Sequence, residues 1–352
     1  PNMFTPKASL PPPLADCSGC GHSVGAQGEG RPSGIGGHRL TDLPGGTQSG
    51  SMRILLSRTD GIGDLVATLP VMERILSRTP EAEIHWLVRP YTAPLLEGLP
   101  GVAGIHLREP DTDLEAFFRR LRPDAVLNLF CRDGAVITAA CRAGVPMRVA
   151  RPKGRQLLDA THRVQWLQRS FRRHESELSL DFLRPLGMGD GWPSPPRLVV
   201  SEAERRKAEA ELAHVPFPRL AVVVSGVAAV SPTAAWWARA QKLCSAQGWN
   251  PIVLGPPEAS PLPATDLRGL LARLACCQAL VAPSTGPSHM AAALELPVLV
   301  LLPRRKSVTP ARWAPMGERV QIAVSPQTWT REEGGMDALD PLELVPHLDR
   351  LK

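Results

Sequence analysis

Between Arg53 and Val88 a short apolar run, a glycine turn, a long amphipathic pattern and a second apolar run follow one another. No other feature restricts the fold as much. Arg53-Ile-Leu-Leu-Ser57 reads as a short buried strand. Thr59-Asp-Gly-Ile-Gly63 turns the chain, and Leu65, Leu69, Met72, Ile75 and Leu76 then share one helical face. Glu83-Ile-His-Trp-Leu-Val88 is a second strand. Strand, crossover helix and strand in this order form a βαβ unit, which implies a parallel sheet.

The same rhythm continues with a helix over 114–121, a strand over 125–129, a helix over 134–143 and a closing helix over 174–186. Gly187-Met-Gly-Asp-Gly-Trp-Pro-Ser-Pro-Pro196 breaks it, as a linker does. Strands are then expected at 220–225, 251–255, 279–282 and 298–302, with helices at 233–247, 267–277, 288–294 and 342–351. The fold class expected is α/β, with two halves across a cleft. A first domain spans 52–187, a linker 188–196, a second domain 197–335 and a terminal helix 336–352. Ligands of open α/β sheets bind at the carboxyl ends of the strands, so both halves should build the site.

Residues 1–51 differ in kind. They hold 11 Gly and 7 Pro, and no periodic apolar pattern. The expectation is a disordered extension without the apolar stretch of a signal peptide. Cys17-Ser-Gly-Cys20 lies there with His22 and His38, but a lone CxxC without a matched second pair is a weak zinc signal. Elsewhere the chain is rich enough in apolar residues, 43% overall, to bury a core. No apolar run reaches the roughly 18 residues of a membrane span. Aromatics at 5%, with one Tyr, argue against a stacking platform for nucleic acid. The net charge of +6 is compatible with anionic substrates or an acidic membrane surface. Seven Cys without a disulfide framework point to a reducing, cytoplasmic compartment.

Three motifs carry chemistry. Asp60-Gly-Ile-Gly-Asp64 sits between strand and helix, where Gly61 and Gly63 let the backbone turn and approach a ligand. It is a poor dinucleotide fingerprint, because Val66 stands at the third glycine position and Val88-Arg89-Pro90 offers no acid for a ribose. That disfavours a nicotinamide-dependent oxidoreductase. Asp64 is then either an N-cap or a catalytic carboxylate. The second motif is Pro283-Ser-Thr-Gly-Pro-Ser-His289, between a buried strand and an apolar helix. Free N–H groups at the helix start, with Ser284, Thr285, Gly286, Pro287 and His289, suit a diphosphate, although an ordinary capped helix would use one of the hydroxyls. Third, Arg304, Arg305, Lys306 and Arg312 follow a strand and could neutralise phosphates, or form a solvated loop. Asp111-Thr-Asp113 superficially matches a metal-binding DxD, but its place before a helix favours capping. No metal is expected there.

Met52-Arg-Ile-Leu-Leu-Ser-Arg-Thr-Asp-Gly-Ile-Gly-Asp-Leu-Val-Ala-Thr-Leu-Pro70 resembles the amino-terminal signature of glycosyltransferase family 9, the ADP-heptose:lipopolysaccharide heptosyltransferases. Ala279–Leu294, Pro310–Gly317 and His174–Gly187 are similar to further segments of that family. The resemblance covers residues 52–352. It implies a GT-B fold, two Rossmann-like α/β/α domains facing a central cleft, with acceptor on the first and donor on the second. It implies inverting, metal-independent heptose transfer from ADP-heptose to a lipid-linked oligosaccharide, the lipopolysaccharide inner core, with no cofactor. Peripheral contact with the inner face of the inner membrane would follow. Asp64 falls on the family's catalytic carboxylate, and Thr285, Gly286, Pro287 and His289 on its diphosphate turn. Two departures stand out. No Lys occupies the 225–236 turn, where many members carry one, and the 255–271 stretch is short. Both leave room for another nucleotide-sugar donor, and the missing Lys alone for a binding module without catalysis.

Overall fold

The computed structural model describes residues 51–352 except 130–131, 152–153, 155, 165–171, 225–229, 255–261 and 331–334. The expected extension, its Cys17 and Cys20, the 225–229 part of the lysine-free turn and the start of the 255–271 stretch lie outside the described residues.

The first half is a six-stranded parallel sheet in the order β3-β2-β1-β4-β5-β6. Its elements are β1 (Arg53–Arg58), α1 (Ile62–Arg78), β2 (Glu83–Val88), β3 (Val102–Leu107), α2 (Leu114–Leu121), β4 (Ala125–Asn128), α3 (Gly134–Arg142), β5 (Met147–Ala150), the single turn α4 (Gln156–Asp159) and β6 (His162–Arg163). A 3₁₀ turn at Ala93–Leu96 joins β2 to β3. From Ile54 onward β1 is fully buried, as a parallel strand covered on both faces must be. Its register runs Ile54 opposite Ile84 on β2 and Ala125 on β4. The apolar face of α1 lies against the sheet through Leu65, Leu69, Met72 and Ile75. The expected closing helix is shorter than its pattern: α5 covers Glu175–Leu180 and tightens to 3₁₀ over Asp181–Leu186, where Pro185 cannot donate a helical hydrogen bond.

The second half is a five-stranded parallel sheet in the order β11-β10-β9-β7-β8. It comprises α6 (Glu202–Glu211), β7 (Arg219–Val222), α7 (Ala234–Ala246), β8 (Asn250–Val253), α8 (Leu267–Ala275), β9 (Ala279–Pro283), α9 (Gly286–Ala293), β10 (Val298–Arg304), the short α10 (Pro310–Trp313) and β11 (Val320–Thr328). The chain ends in a 3₁₀ turn (Pro341–Leu344) and α11 (Val345–Leu351), whose Leu348 and Leu351 pack with Trp236 and Trp237 of α7. Each sheet reverses its winding once, between β1 and β4 and between β7 and β9. Doubly wound sheets bind ligands beside such switch points. The loops after β1 and β9 therefore set the site.

The connection between halves is fastened at both ends. Arg74 of α1 donates to the carbonyls of Met188, Asp190 and Trp192. The Ser194 hydroxyl donates to Glu73 at 2.5 Å. On the other side the Leu198 amide donates to the Ala293 carbonyl at 2.9 Å.

Candidate active site

Arg58 closes β1 as a charged residue only 3% exposed. A buried guanidinium needs partners, and the chain supplies carboxylates from two turns and a distant helix. Nε donates to Asp60 at 2.7 Å. Nη2 donates to Asp64 at 2.9 Å and to Glu175 at 3.2 Å. Nη1 donates to the Leu129 carbonyl at 3.1 Å. Burial opposes this charge, but Asp60, Glu175 and Asp64 outweigh it and raise the Arg58 pKa above its ordinary value. Asp60 moves the other way from a paired carboxylate. Burial, helped by the Asp64 charge, pushes it up to about 6 against the pull of Arg58.

Asp64 is not the cap of α1. Gly61 occupies the N-cap position, and Asp64 lies in the first turn, where the helix dipole favours its negative charge. Its side chain remains 27% exposed. Of the two readings open in the sequence, the plain cap is therefore removed.

Helix α9 begins at Gly286, with Thr285 as N-cap and Pro287 in the first turn. The Ser288 hydroxyl accepts from the Thr285 amide at 3.3 Å and donates to the Thr285 carbonyl at 2.7 Å. The Thr285 Oγ1 atom is buried and has no hydrogen-bond partner among the described residues. His289 is buried, and burial, with His174 nearby, lowers its pKa to about 3. It is a neutral imidazole at physiological pH.

The starts of α1 and α9 meet. A β-carbon on Gly63 would lie 2.9 Å from the His289 ring. One on Gly286 would lie 2.7 Å from Ile62. These two glycines were expected to admit a ligand. Their missing side chains let two helix N-termini, one from each half, abut directly. Gly61 serves its own half, since a β-carbon there would meet the Asp64 carboxylate at 2.9 Å.

The basic loop divides. Arg312 donates to Glu175 at 2.5 Å and so joins the Arg58 cluster from the second half. Arg304 donates to the Ser325 carbonyl at 3.3 Å, Arg305 lies 4.7 Å from the Trp329 ring centre, and Lys306 is exposed. No hydrogen bond or ion pair among the described residues ties these three to the cluster. Beside Glu175, His174 accepts the Ser176 amide at Nδ1 (3.1 Å) and donates from Nε2 to the Ala314 carbonyl at 2.8 Å. With both nitrogens so used the ring is neutral, and burial lowers its pKa. Asp113 caps α2 by accepting the Ala116 amide at 3.0 Å, as its position suggested. Among the described residues no group of three or more His, Cys, Asp or Glu is arranged to hold a metal. No described helix is long and apolar enough to cross a membrane.

Arg58, Asp60, His174 and Glu175 were not singled out from sequence. The signal for Arg58 was available: a charge ending a buried strand must find partners.

Residues 257–341 match the family described as glycosyltransferase family 9 (heptosyltransferase). Lipopolysaccharide heptosyltransferase 1 of Pseudomonas aeruginosa is 25% identical over 297 residues, covering 71% of this chain and 78% of its own. The chain is thus similar to the family 9 glycosyltransferases in sequence. The fold agrees. The crystal structure of a family 9 glycosyl transferase from Veillonella parvula superposes with a TM-score of 0.73 at 15% identity, over 86% of this chain and 97% of that one. ADP-heptose lipopolysaccharide heptosyltransferase II of E. coli gives 0.68 at 17% identity, over 85% and 98%. The protein thus has the GT-B architecture, two Rossmann-like α/β/α halves facing each other.

Proposed function

We propose that the protein is a family 9 glycosyltransferase that moves a heptose from ADP-heptose to a lipopolysaccharide inner-core acceptor, with inversion at the anomeric carbon and without a metal ion. The observation that carries this reading is the meeting of α1 and α9. It sets a partly exposed carboxylate, Asp64, one helix residue beyond the Gly63–His289 contact. In this reading Asp64 takes the proton of the acceptor hydroxyl as that oxygen bonds to the anomeric carbon. The bond to the diphosphate breaks on the opposite face. The start of α9, with the Gly286 amide, the Thr285 and Ser284 hydroxyls and the helix dipole, receives the departing charge. Arg58 orients the Asp64 side chain through its hydrogen bond at 2.9 Å. Neutral His289 packs the turn and adds no charge. The names of the similar proteins support the donor and acceptor classes. The acceptor would place the enzyme at the cytoplasmic face of the inner membrane, as a peripheral protein.

The test is turnover of ADP-heptose with heptose-deficient lipopolysaccharide, read as ADP release and as the anomeric configuration of the product. Asp64→Asn keeps the size of the side chain, and its kcat is expected to fall by about 10²–10⁴-fold while ADP still binds. Activity should survive a chelator. Retained turnover in Asp64→Asn, retention of configuration, or loss of activity to the chelator each defeats its part of the reading.

A further inference from the structure

We propose that Glu175 is a positioning residue that couples the register of the two halves to the orientation of the Asp64 carboxylate; this rests on the reading of Asp64 as base. Glu175 divides its two oxygens between the halves. Oε1 accepts from Arg58 of the first at 3.2 Å, and Oε2 accepts from Arg312 of the second at 2.5 Å. The Arg58 nitrogen that reaches Glu175 is the one that reaches Asp64. Turning that guanidinium toward or away from Glu175 therefore turns it relative to Asp64. The side chain of Glu175 is 4% exposed, so water cannot replace a lost partner cheaply. The adjacent residue repeats the grip, because His174 donates to the Ala314 carbonyl next to α10. Two consecutive residues of the first half thus hold one short segment of the second, and one of them is a hydrogen bond away from the group that orients the base. If the halves separate, Glu175 loses Arg312 and Arg58 is left to redistribute among three carboxylates. The arrangement ties a productive base to the engaged state of the molecule. It also reassigns Arg312, expected from sequence to contact phosphate.

Full-length Glu175→Gln, Arg312→Met, Arg312→Lys and the Glu175→Gln/Arg312→Met double variant test this, with ADP-heptose turnover and ADP affinity as readouts. Each of Glu175→Gln and Arg312→Met is expected to lower kcat by about 10–100-fold, the cost of misplacing a reacting group. Donor KM and ADP affinity should stay close to the parent's. The double variant should be no worse than the poorer single one, because both cut the same chain. Arg312→Lys should recover part of kcat. Losses that multiply in the double variant, unchanged kcat, or an Arg312→Met defect confined to donor KM and ADP affinity would overturn the inference, the last by making Arg312 a phosphate contact. A Lys variant no better than Met also counts against it. Should Glu175→Gln fail to fold, the Arg312 pair decides. Near-parent turnover in Asp64→Asn would instead remove the base reading itself; a collapsed Asp64→Asn beside an unaffected Glu175→Gln removes only this one.

Discussion

Asp60 and Asp64 are four residues apart and share one arginine, yet their surroundings separate them. Asp64 keeps contact with solvent, whereas Asp60 is largely enclosed and its pKa is pushed up to about 6 by burial. The consequence for stability has a definite sign. A carboxyl whose folded pKa exceeds its unfolded one binds its proton more tightly in the folded state, so it stabilises below the unfolded value near 4 and loses that stabilisation as pH rises through about 6. Asp60→Asn removes the charge. It is therefore expected to unfold at higher urea than the parent at pH 7.5, with the gap closing as pH is lowered toward 4. A gap that stays constant across this range would show that burial does not govern Asp60. Asp64 was a candidate in the sequence because it stands in a turn with two glycines before a helix and falls on the catalytic carboxylate of the family the chain resembles. The group that orients it was not. Arg58 looks, in one dimension, like the polar end of a strand, and Glu175 is separated from it by 117 positions.

At the scale of elements, the contact between α1 and α9 is a packing problem solved with glycine. A methyl group on Gly286 would sit 2.7 Å from the Ile62 Cβ, too close for any rotamer change to relieve. Gly286→Ala is expected to destabilise by about 1–3 kcal/mol, the usual cost of overpacking, and to weaken ADP binding. Ile62→Gly in the same chain removes that Cβ and should restore much of the ADP binding. If the glycine were needed only for a ligand's approach, removing Ile62 would rescue nothing; thermal melts and ADP titration of the three variants tell these apart. The sequence reading found the central strands, since parallel strands covered on both faces are unbroken apolar runs. It missed β5 and β6, which are only four and two residues long, and the edge strands β3 and β11, whose residues are half-buried or exposed along much of their length. It missed α6 as well. Only Ala208 of that helix is buried, so periodicity is silent, but the Ser201 and Glu204 pair that caps it is a signal a closer reading could have used. The two motif turns were recognised for their glycines, and their meeting across the halves was not, because nothing local in either turn specifies the other.

Across the whole molecule, one apolar cluster runs from Ile54 and Leu65 in the first half to Met290 and Val300 in the second. Polar contacts supplement it: Arg268 of α8 reaches the Pro94 carbonyl at 3.4 Å, and Glu175 meets Arg312. The connection between the halves is pinned to the first through Ser194 and to the second through Leu198, which leaves Pro195, Pro196 and Arg197 between the fastenings. Three residues in the extended conformation favoured by proline span only about 10 Å. So short and stiff a tether has a consequence for how copies of the enzyme relate to one another. For one chain to lend its second half to a neighbour, the exchange would first have to strip the Arg74 and Ser194 contacts. The centre proposed above is then expected to be assembled within a single polypeptide. Co-expressing an Asp64→Asn chain with a Gly286→Trp chain is expected to give no recovery of turnover beyond the sum of the two alone, whereas trading of halves would regenerate an intact centre in a share of the molecules.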